Sequence, residues 1–514
     1  NRMKKIIKIL TSRMFLFGLA VAVQFVWMYL FYTFLNNWLP WLDDVMAIAA
    51  VIIVLVIVNR QMNTAFRLVW TLLILAMPVF GVMFYLLYGN SRLKIKLRRR
   101  SAHFQEVGAN ILQQNMSVQD QMHAEDPEAF RESVYLLNTT GFPLYANETA
   151  KYYAVGDDAF TDMIEALEDA KQYIFMEYFI IAPGVFWNTI HEILKRKVKE
   201  GVEVRVLYDD FGCAGTLPYR YFNELEEEGI RCACFNPMHF LISLIMNNRD
   251  HRKILVVDGE TAFTGGFNIA DEYINSITRF GHWKDAGIRV TGSPAWSFTS
   301  MFLQMWSLST GETPEIDFYK TPAIISEKND ITDGYAQPYS DMPLDNEAVG
   351  ENVYLQLISR AQKYVYIFTP YLIITDEMKS ALTIAGQRGV DIRIVTPHIP
   401  DKKLVFLITQ STYRWLLEAG VRIYEYTPGF IHSKVMVSDD RYAVVGSINL
   451  DYRSLYQQYE DAVWFCGASV VKDIARDALN TFESSQEITL YWVRHRSIFL
   501  RALMSFLNLF APLT

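Results

Sequence analysis

The chain has 514 residues, 51% of them apolar, and a formal charge of −8 from 48 Lys and Arg against 56 Asp and Glu. Its length implies two or three structural units, and an acidic balance without a basic, aromatic-interleaved stripe argues against nucleic acid as a partner, since that affinity comes from cationic contacts to phosphates. The four cysteines, Cys213, Cys232, Cys234 and Cys466, lack zinc-knuckle spacing and read as small apolar side chains, with neither a disulfide nor a metal expected.

Three apolar runs come first. Residues 14–35 and 68–89 are each long enough to cross a bilayer core, which needs about 20 helical residues; 45–58 lies between them and is short for a span. Residues 1–90 are therefore expected to form a transmembrane region of two or three helices, in a multi-pass protein of the cell membrane. Lys4, Lys5, Lys8 and Arg13 ahead of the first run resemble the start of a signal peptide. No small-residue cleavage site follows and further apolar runs do, so an anchor is the better reading. A second basic cluster, 92–100, opens a juxtamembrane segment and linker over 91–150, where each cation adds about 1 kcal/mol of attraction to anionic lipid. Lys and Arg counts leave the orientation open: three spans put the clusters on opposite sides, and a hairpin of the second and third runs puts both on the cytoplasmic side.

From about Tyr152 the pattern is α/β. "DMIEALEDAKQYIFMEYFII" reads as a helix running into a strand, and "IHEILKRKVKEGVEVRVLYDD" repeats it with Gly201 ending the helix. The second half answers with "LISRAQKYVYIFTPYLII" and "MKSALTIAGQRGVDIRIVTP", where Gly389 takes the part of Gly201. This is a duplicated domain-sized unit, 151–313 and 346–514, joined by an irregular linker over 314–345. Between Pro237 and His251 the first copy carries an apolar insertion, 238–250, absent from the second; it either packs into the core or forms an apolar lip for acyl chains. The last residues, "WVRHRSIFLRALMSFLNLFAPL", form an amphipathic helix that packs on its own domain or lies on lipid.

Each copy then reaches one skeleton, "HRKILVVDG" and "HSKVMVSDD": His, one residue, Lys, four residues, Asp. Side chains two apart in a strand share a face, which pairs His251 with Lys253 and His432 with Lys434. Asp258 and Asp439 complete the motifs with opposite parity at a turn, a place for structural anchors. "GGFN" and "GSIN" follow, offering close backbone approach at Gly265, Gly266, Gly446 and Ser447, and amide donors at Asn268 and Asn449. Two imidazoles, two ammonium groups and two amides brought together describe a pocket for a phosphodiester: one neutral His attacks phosphorus and a protonated partner serves the leaving alkoxide. Lys253, Asn268, Lys434, Ser447 and Asn449 are the candidate phosphate ligands. Asp285 and Glu460, each seven residues before a glycine, are candidates to orient the histidines.

These paired motifs resemble the phospholipase D superfamily, and with the apolar pattern over 45–90 the chain is similar to its bacterial cardiolipin synthase family. The resemblance implies an α/β fold of two pseudo-twofold-related phospholipase D-type repeats, mixed β-sheets flanked by helices, behind an α-helical transmembrane region. It also implies the conversion of two phosphatidylglycerol molecules into cardiolipin and glycerol through a phosphatidyl-histidine, with no cofactor or metal. By the same similarity His251 is the nucleophile and His432 the proton donor, with a cytoplasmic-facing site. A lipid-headgroup hydrolase and a membrane-tethered nuclease are the alternatives, and a homo-oligomer is compatible with the pattern.

Overall fold

The computed structural model describes residues 13–39, 41–60, 62–86, 112–147, 149–237, 248–313, 315–320, 333–345 and 347–513. The basic clusters at 4–8 and 92–100, most of the 238–250 insertion, and 314 and 321–332 of the linker lie outside the described residues.

The apolar start folds as helices Arg13–Trp38, Leu42–Val58, Thr64–Ala76 and Pro78–Phe84. The third run is thus not one span. Pro78 has no N–H to continue the preceding helix and opens a new one at its first turn. Gly81 lets this second leg fold back tightly, since a Cβ there would lie 2.5 Å from the Ile74 Cα. Helix Arg13–Trp38 has 26 residues, roughly 39 Å at 1.5 Å per residue, though several of its side chains fall outside the described residues. Among the described residues no helix meets the combined length and apolarity of a membrane span.

Strands are numbered in chain order. The first half holds β1 (Tyr145–Ala146), β2 (Thr149–Tyr153), β3 (Tyr173–Tyr178), β4 (Glu203–Asp209), β5 (Arg231–Phe235), β6 (Arg249–Asp250), β7 (Lys253–Val257), β8 (Thr261–Gly265), β9 (His282–Lys284) and β10 (Gly287–Thr291). The second holds β11 (Tyr335–Asp341), β12 (Tyr364–Phe368), β13 (Asp391–Pro397), β14 (Arg422–Tyr426), β15 (Gly429–Ile431), β16 (Val435–Ser438), β17 (Tyr442–Gly446), β18 (Gln458–Cys466) and β19 (Ser485–Ile488). One sheet runs β2-β10-β8-β7-β3-β4-β5 and the other β1-β11-β18-β17-β16-β12-β13-β14-β19. In each, three parallel strands continue antiparallel into the strand that follows the histidine, β7 or β16, and then its hairpin mate, β8 or β17. This shared order is the structural counterpart of the sequence duplication. Gly201 (φ 91°) and Gly389 (φ 88°) take the left-handed turn after helices Val185–Lys199 and Asp376–Gln387, where a Cβ is costly.

Helices Ser293–Thr310 and Val470–Glu483 fill the space between the sheets, packing Phe298, Met301, Phe302 and Ile474 among Phe175 and Val256 of one sheet and Phe368 and Val437 of the other. The supposedly irregular linker contains β11, whose seven residues all pair with β18. Segment 91–150 likewise holds helices Met116–Glu125 and Pro127–Thr140, which pack Met122 and Leu136 against the second sheet's core.

The motif aspartates lie beyond the ends of β7 and β16 that are remote from the histidines. Asp258 (φ 53°) accepts the amides of Lys171, Gln172 and Tyr173 at 2.7–2.8 Å. Asp439 (φ 57°) accepts those of Gln362, Lys363 and Tyr364 at 2.8–2.9 Å. Both tie a turn to the start of the antiparallel neighbour, β3 or β12, a structural task and not contact with a reacting group. Asp258→Ala is expected to cost about 1–3 kcal/mol of unfolding free energy by leaving backbone donors unpaired. Asp258→Asn keeps one acceptor oxygen and tolerates the left-handed backbone, so chemical denaturation in detergent should rank it between Ala and the native chain.

Candidate active site

His251 follows β6 and His432 follows β15, short strands that leave their own unit and pair in parallel with the other. β6 lies on β18, with Arg249 opposite Gln458 and Asp250 opposite Tyr459. β15 lies on β9, from Gly429 opposite His282 to Ile431 opposite Lys284. Extending these ladders, the His251 amide donates to the Tyr459 carbonyl at 2.9 Å and the His432 amide to the Lys284 carbonyl at 2.8 Å. The next residues of the partner segments are Glu460 and Asp285. His251 Nδ1 meets Glu460 Oε1 at 2.9 Å, and His432 Nδ1 meets Asp285 Oδ2 at 2.6 Å. The two candidate carboxylates thus contact the histidines crosswise: each unit reaches the other's histidine. Lys434 Nζ also stands 2.8 Å from His432 Nδ1. A neutral ring has one N–H, and the carboxylate has only acceptors to offer, so Nδ1–H belongs to Asp285 and Nε2 keeps the lone pair.

The two carboxylates are housed differently. A Cβ on Gly266 would lie 2.0 Å from Asp285 Oδ1, so glycine makes the room that Asp285 occupies. At the matching position the Ser447 hydroxyl donates to Glu460 Oε2, and Ser454 donates to Oε1. Asp285 Oδ1 is buried without a hydrogen-bond partner among the described residues.

Both histidines and both lysines are buried, and each lysine ammonium donates to the carbonyl of its own histidine. Burial, followed by Lys253, Lys434, His432 and Arg453, holds the His251 imidazole well below its usual range. Burial and then Lys434 push His432 down to about 4, against the charge and hydrogen bond of Asp285. Burial lowers Lys253 to about 8 and Lys434 to about 7. Glu460 is pushed well up by burial despite Lys253 and its two serines. The pocket holds more cationic capacity than its walls neutralise, which suits an incoming anion.

The expected phosphate ligands divide. Lys253 and Lys434 stand beside the imidazoles. Asn268 is committed to the wall, accepting the Ile180 amide at 3.0 Å and donating to the Tyr273 hydroxyl at 2.8 Å, while the Tyr273 ring lies 5.5 Å from His432. Asn449 is buried with its Oδ1 unpartnered among the described residues. The Ser447 hydroxyl donates to Glu460. Sequence reasoning missed Ser454, the Phe179 ring 5.0 Å from His251, and a buried ionic group. In that group Arg252 pairs with Glu177 at 2.7 Å and Asp250 at 3.6 Å, and Asp461 accepts the Lys253 amide at 3.3 Å. The available signal was a carboxylate inside the apolar strand "YIFMEY" and a second one beside Glu460.

Two repeated α/β units with a pair of His-x-Lys motifs brought to one pocket define a phospholipase D-type protein. The family described as cardiolipin synthase, PLD-like domain, matches residues 163–279 and 354–484, and a phospholipase D-nuclease N-terminal family matches 45–90. A cardiolipin synthase of Alkalihalophilus pseudofirmus is 33% identical over 96% of this chain and 98% of its own length. An uncharacterized Streptococcus mutans protein is 42% identical over 90% and 99%. The chain belongs to the cardiolipin synthase family. The phosphatidylserine synthase of Haemophilus influenzae Rd KW20 shares the fold, with a TM-score of 0.57 at 16% identity over 74% of this chain and 97% of that one.

A bound phosphodiester favours the protonated forms of His432, at about 4 when the site is empty, and Lys434, at about 7. Binding therefore takes up protons, and by linkage affinity falls as pH rises above about 4, where His432 must gain its proton on binding, and falls further above about 7, where Lys434 must as well. Calorimetry with a soluble phosphodiester in buffers of different ionisation enthalpy should register this uptake and weaker binding at higher pH. Proton release would contradict the charge assignment.

Proposed function

We propose that this protein is a phosphatidyltransferase that joins two phosphatidylglycerol molecules into cardiolipin and releases glycerol. The observation that carries the reading is the pair of imidazoles, each fixed at Nδ1 by a carboxylate of the opposite unit, with both Nε2 atoms left for chemistry. His251 Nε2 attacks the phosphorus of the first lipid, and the bond from phosphorus to its glycerol oxygen breaks. His432, protonated once the phosphate charge is in place, gives its proton to the departing alkoxide. The second lipid's terminal hydroxyl then passes its proton to neutral His432 and attacks the phosphatidyl-histidine, freeing His251. Lys253 and Lys434 face the developing charge on the non-bridging oxygens, with Asn449 the better placed of the two asparagines to assist. One phosphodiester replaces another, so the exchange is close to isoenergetic and loss of glycerol sets its direction. Water is the competing acceptor, and its exclusion decides between synthesis and hydrolysis.

The same reading places residues 1–90 in the bilayer, followed by the segment 91–150, the units 151–313 and 346–514, and their connection. Its support is apolar surface. Val23, Trp27, Leu30 and Phe34 on the first helix, Ile48, Ile52 and Leu55 on the second, and Leu68, Leu72 and Leu75 on the third are all exposed, more than a soluble surface carries. At the C-terminus, helix Ile498–Asn508 buries Met504 and turns outward Phe499 (85% exposed), Leu503 and Phe506 (61% exposed), with Phe510 just beyond. Leu68 and Leu509 line one groove of about 380 Å³, which sets the C-terminal helix beside the third N-terminal helix. Arg494, Arg496 and Arg501 beside Trp492 supply the basic and aromatic flank of an interfacial helix.

Purified protein given phosphatidylglycerol alone in mixed micelles should yield cardiolipin and glycerol in equal amounts; phosphatidic acid instead would make it a hydrolase. His251→Ala should abolish turnover, and His432→Ala should lower it by about 10²- to 10⁴-fold. Retained activity in either overturns the two-histidine mechanism. A bimane label at Phe506→Cys should be quenched by brominated acyl chains while one at Glu483→Cys is not; equal quenching at both sites, or none at either, removes the C-terminal helix from the interface.

A further inference from the structure

The transferred phosphate accounts for His251, Lys253, His432 and Lys434, but two arginines beside them are left without a task. Arg249 is fully buried, two residues before His251. Its Nη1 donates to the Asn236 carbonyl at 3.0 Å and stands 3.6 Å from Asp209 Oδ1, and its guanidinium lies 5.0 Å from the centre of the Phe211 ring. Its Nε and Nη2 have no hydrogen-bond partner among the described residues. Asp209 is a weak counter-ion, since burial pushes its carboxyl up to about 7. Its oxygens are also already shared by the amides of Phe211, Gly212 and Asp250.

Arg453 comes from the other unit, half-buried on the short helix Tyr452–Gln457, with no ion pair among the described residues. The β6–β18 register sets Gln458 opposite Arg249. Oriented to satisfy both neighbours, the Gln458 amide accepts from Arg453 Nε at 3.3 Å and donates to Glu460 Oε1 at 3.1 Å. Glu460 in turn holds His251. Arg453 is thus joined through Gln458 to Glu460 and, across the β6–β18 register, neighbours the Arg249 position, and after burial it is among the charges that depress both Arg249 and His251. A buried guanidinium with donors unpaired among the described residues, and a second guanidinium linked to its neighbourhood through Gln458, suit an anion, and a guanidinium fork matches phosphate oxygens.

We propose that Arg249 and Arg453 form a second phosphate subsite, which takes the phosphodiester of the acceptor phosphatidylglycerol while the first phosphatidyl group is on His251. This rests on the phosphatidyltransferase reading and adds what separates that activity from hydrolysis: an acceptor that brings its own phosphate. The acceptor's terminal hydroxyl is one glycerol unit from that phosphate, so a cation pair adjoining the imidazole suits it. Arg453 is the more exposed member of the pair.

The test uses the full-length protein and two rates. One is cardiolipin formation; the other is incorporation of labelled glycerol into phosphatidylglycerol, which reverses the first half-reaction with an acceptor that carries no phosphate. Arg453→Gln is expected to lower the ratio of cardiolipin formation to glycerol exchange by about tenfold or more, the loss of a charge-assisted hydrogen bond, through a raised KM for the acceptor. Arg453→Lys should recover part of the loss, and Arg249→Met should repeat it from the buried side. An equal fall of both rates in Arg453→Gln and Arg453→Lys overturns the subsite and leaves the arginine a support for Glu460. Absence of glycerol exchange in the native protein overturns the transferase reading itself. If inorganic phosphate alters exchange in the native protein but not in Arg453→Gln, the subsite serves a free anion, and the acceptor assignment falls.

Discussion

The site depends on two hydrogen bonds that cross between the repeats, from His251 to Glu460 and from His432 to Asp285. A histidine can attack or donate in a chosen direction only when its other nitrogen is fixed. Here neither repeat supplies that fixing group to its own imidazole. The backbone enforces the exchange, because β6 and β15 are short strands that join the partner unit's ladder just before each histidine. Ladder geometry then places the ring and the carboxylate within one residue's reach of each other. Duplication therefore does more than supply a second histidine: it makes each half the scaffold of the other half's chemistry.

Burying four basic side chains together is costly, and what offsets the cost is not distributed evenly. On the His251 side, Arg252, Glu177, Asp250 and Asp461 form a dense ionic group behind Lys253. In the second copy Ser433 stands where the first has Arg252, and its hydroxyl donates to the Lys284 carbonyl. A buried ionic group is weak evidence for stability, because desolvation consumes much of the Coulombic gain. Its better-supported effect here is to fix the segment carrying His251 and Lys253 between two sheets. In the proposed mechanism the imidazoles, whose basicity burial lowers, are neutral until an arriving phosphate supplies the charge that lets one of them hold a proton. Substrate binding and the protonation state needed for the leaving group are thereby coupled.

Much of this was legible in the sequence. The repeated His-x-Lys-x4-Asp skeleton, the matched helix-to-strand patterns and the glycines at 201 and 389 follow from local periodicity and turn chemistry, which act over a few residues. The matched places of Asp285 and Glu460 could be read as well, but their crosswise use could not, because nothing local shows that β6 and β15 change partners. Asn268 and Ser447 were read as phosphate ligands from residue type alone, whereas their partners, Tyr273 and Glu460, are set by tertiary packing. Helix Ser293–Thr310 carries no amphipathic signal because both sheets cover it. The apolar run at 68–89 read as one span until Pro78 and Gly81 were allowed to act together.

The two histidines also differ in a way that bears on their proposed roles. Glu460 spends its oxygens on Ser447 and Ser454 as well as on His251, which disperses its charge. Asp285 has one oxygen on His432 and the other unpartnered, beside a glycine that leaves space and no donor. A carboxylate with fewer other donors is the stronger acceptor for an imidazole N–H, and it better stabilises the imidazolium. In the proposed mechanism the better-satisfied carboxylate would favour a neutral His251, as attack on phosphorus requires, and the less-satisfied one would help His432 to hold a proton when a phosphate arrives. One glycine-to-serine difference between otherwise matched motifs, Gly266 against Ser447, would thus be a physical route by which the two copies take the proposed roles of nucleophile and acid.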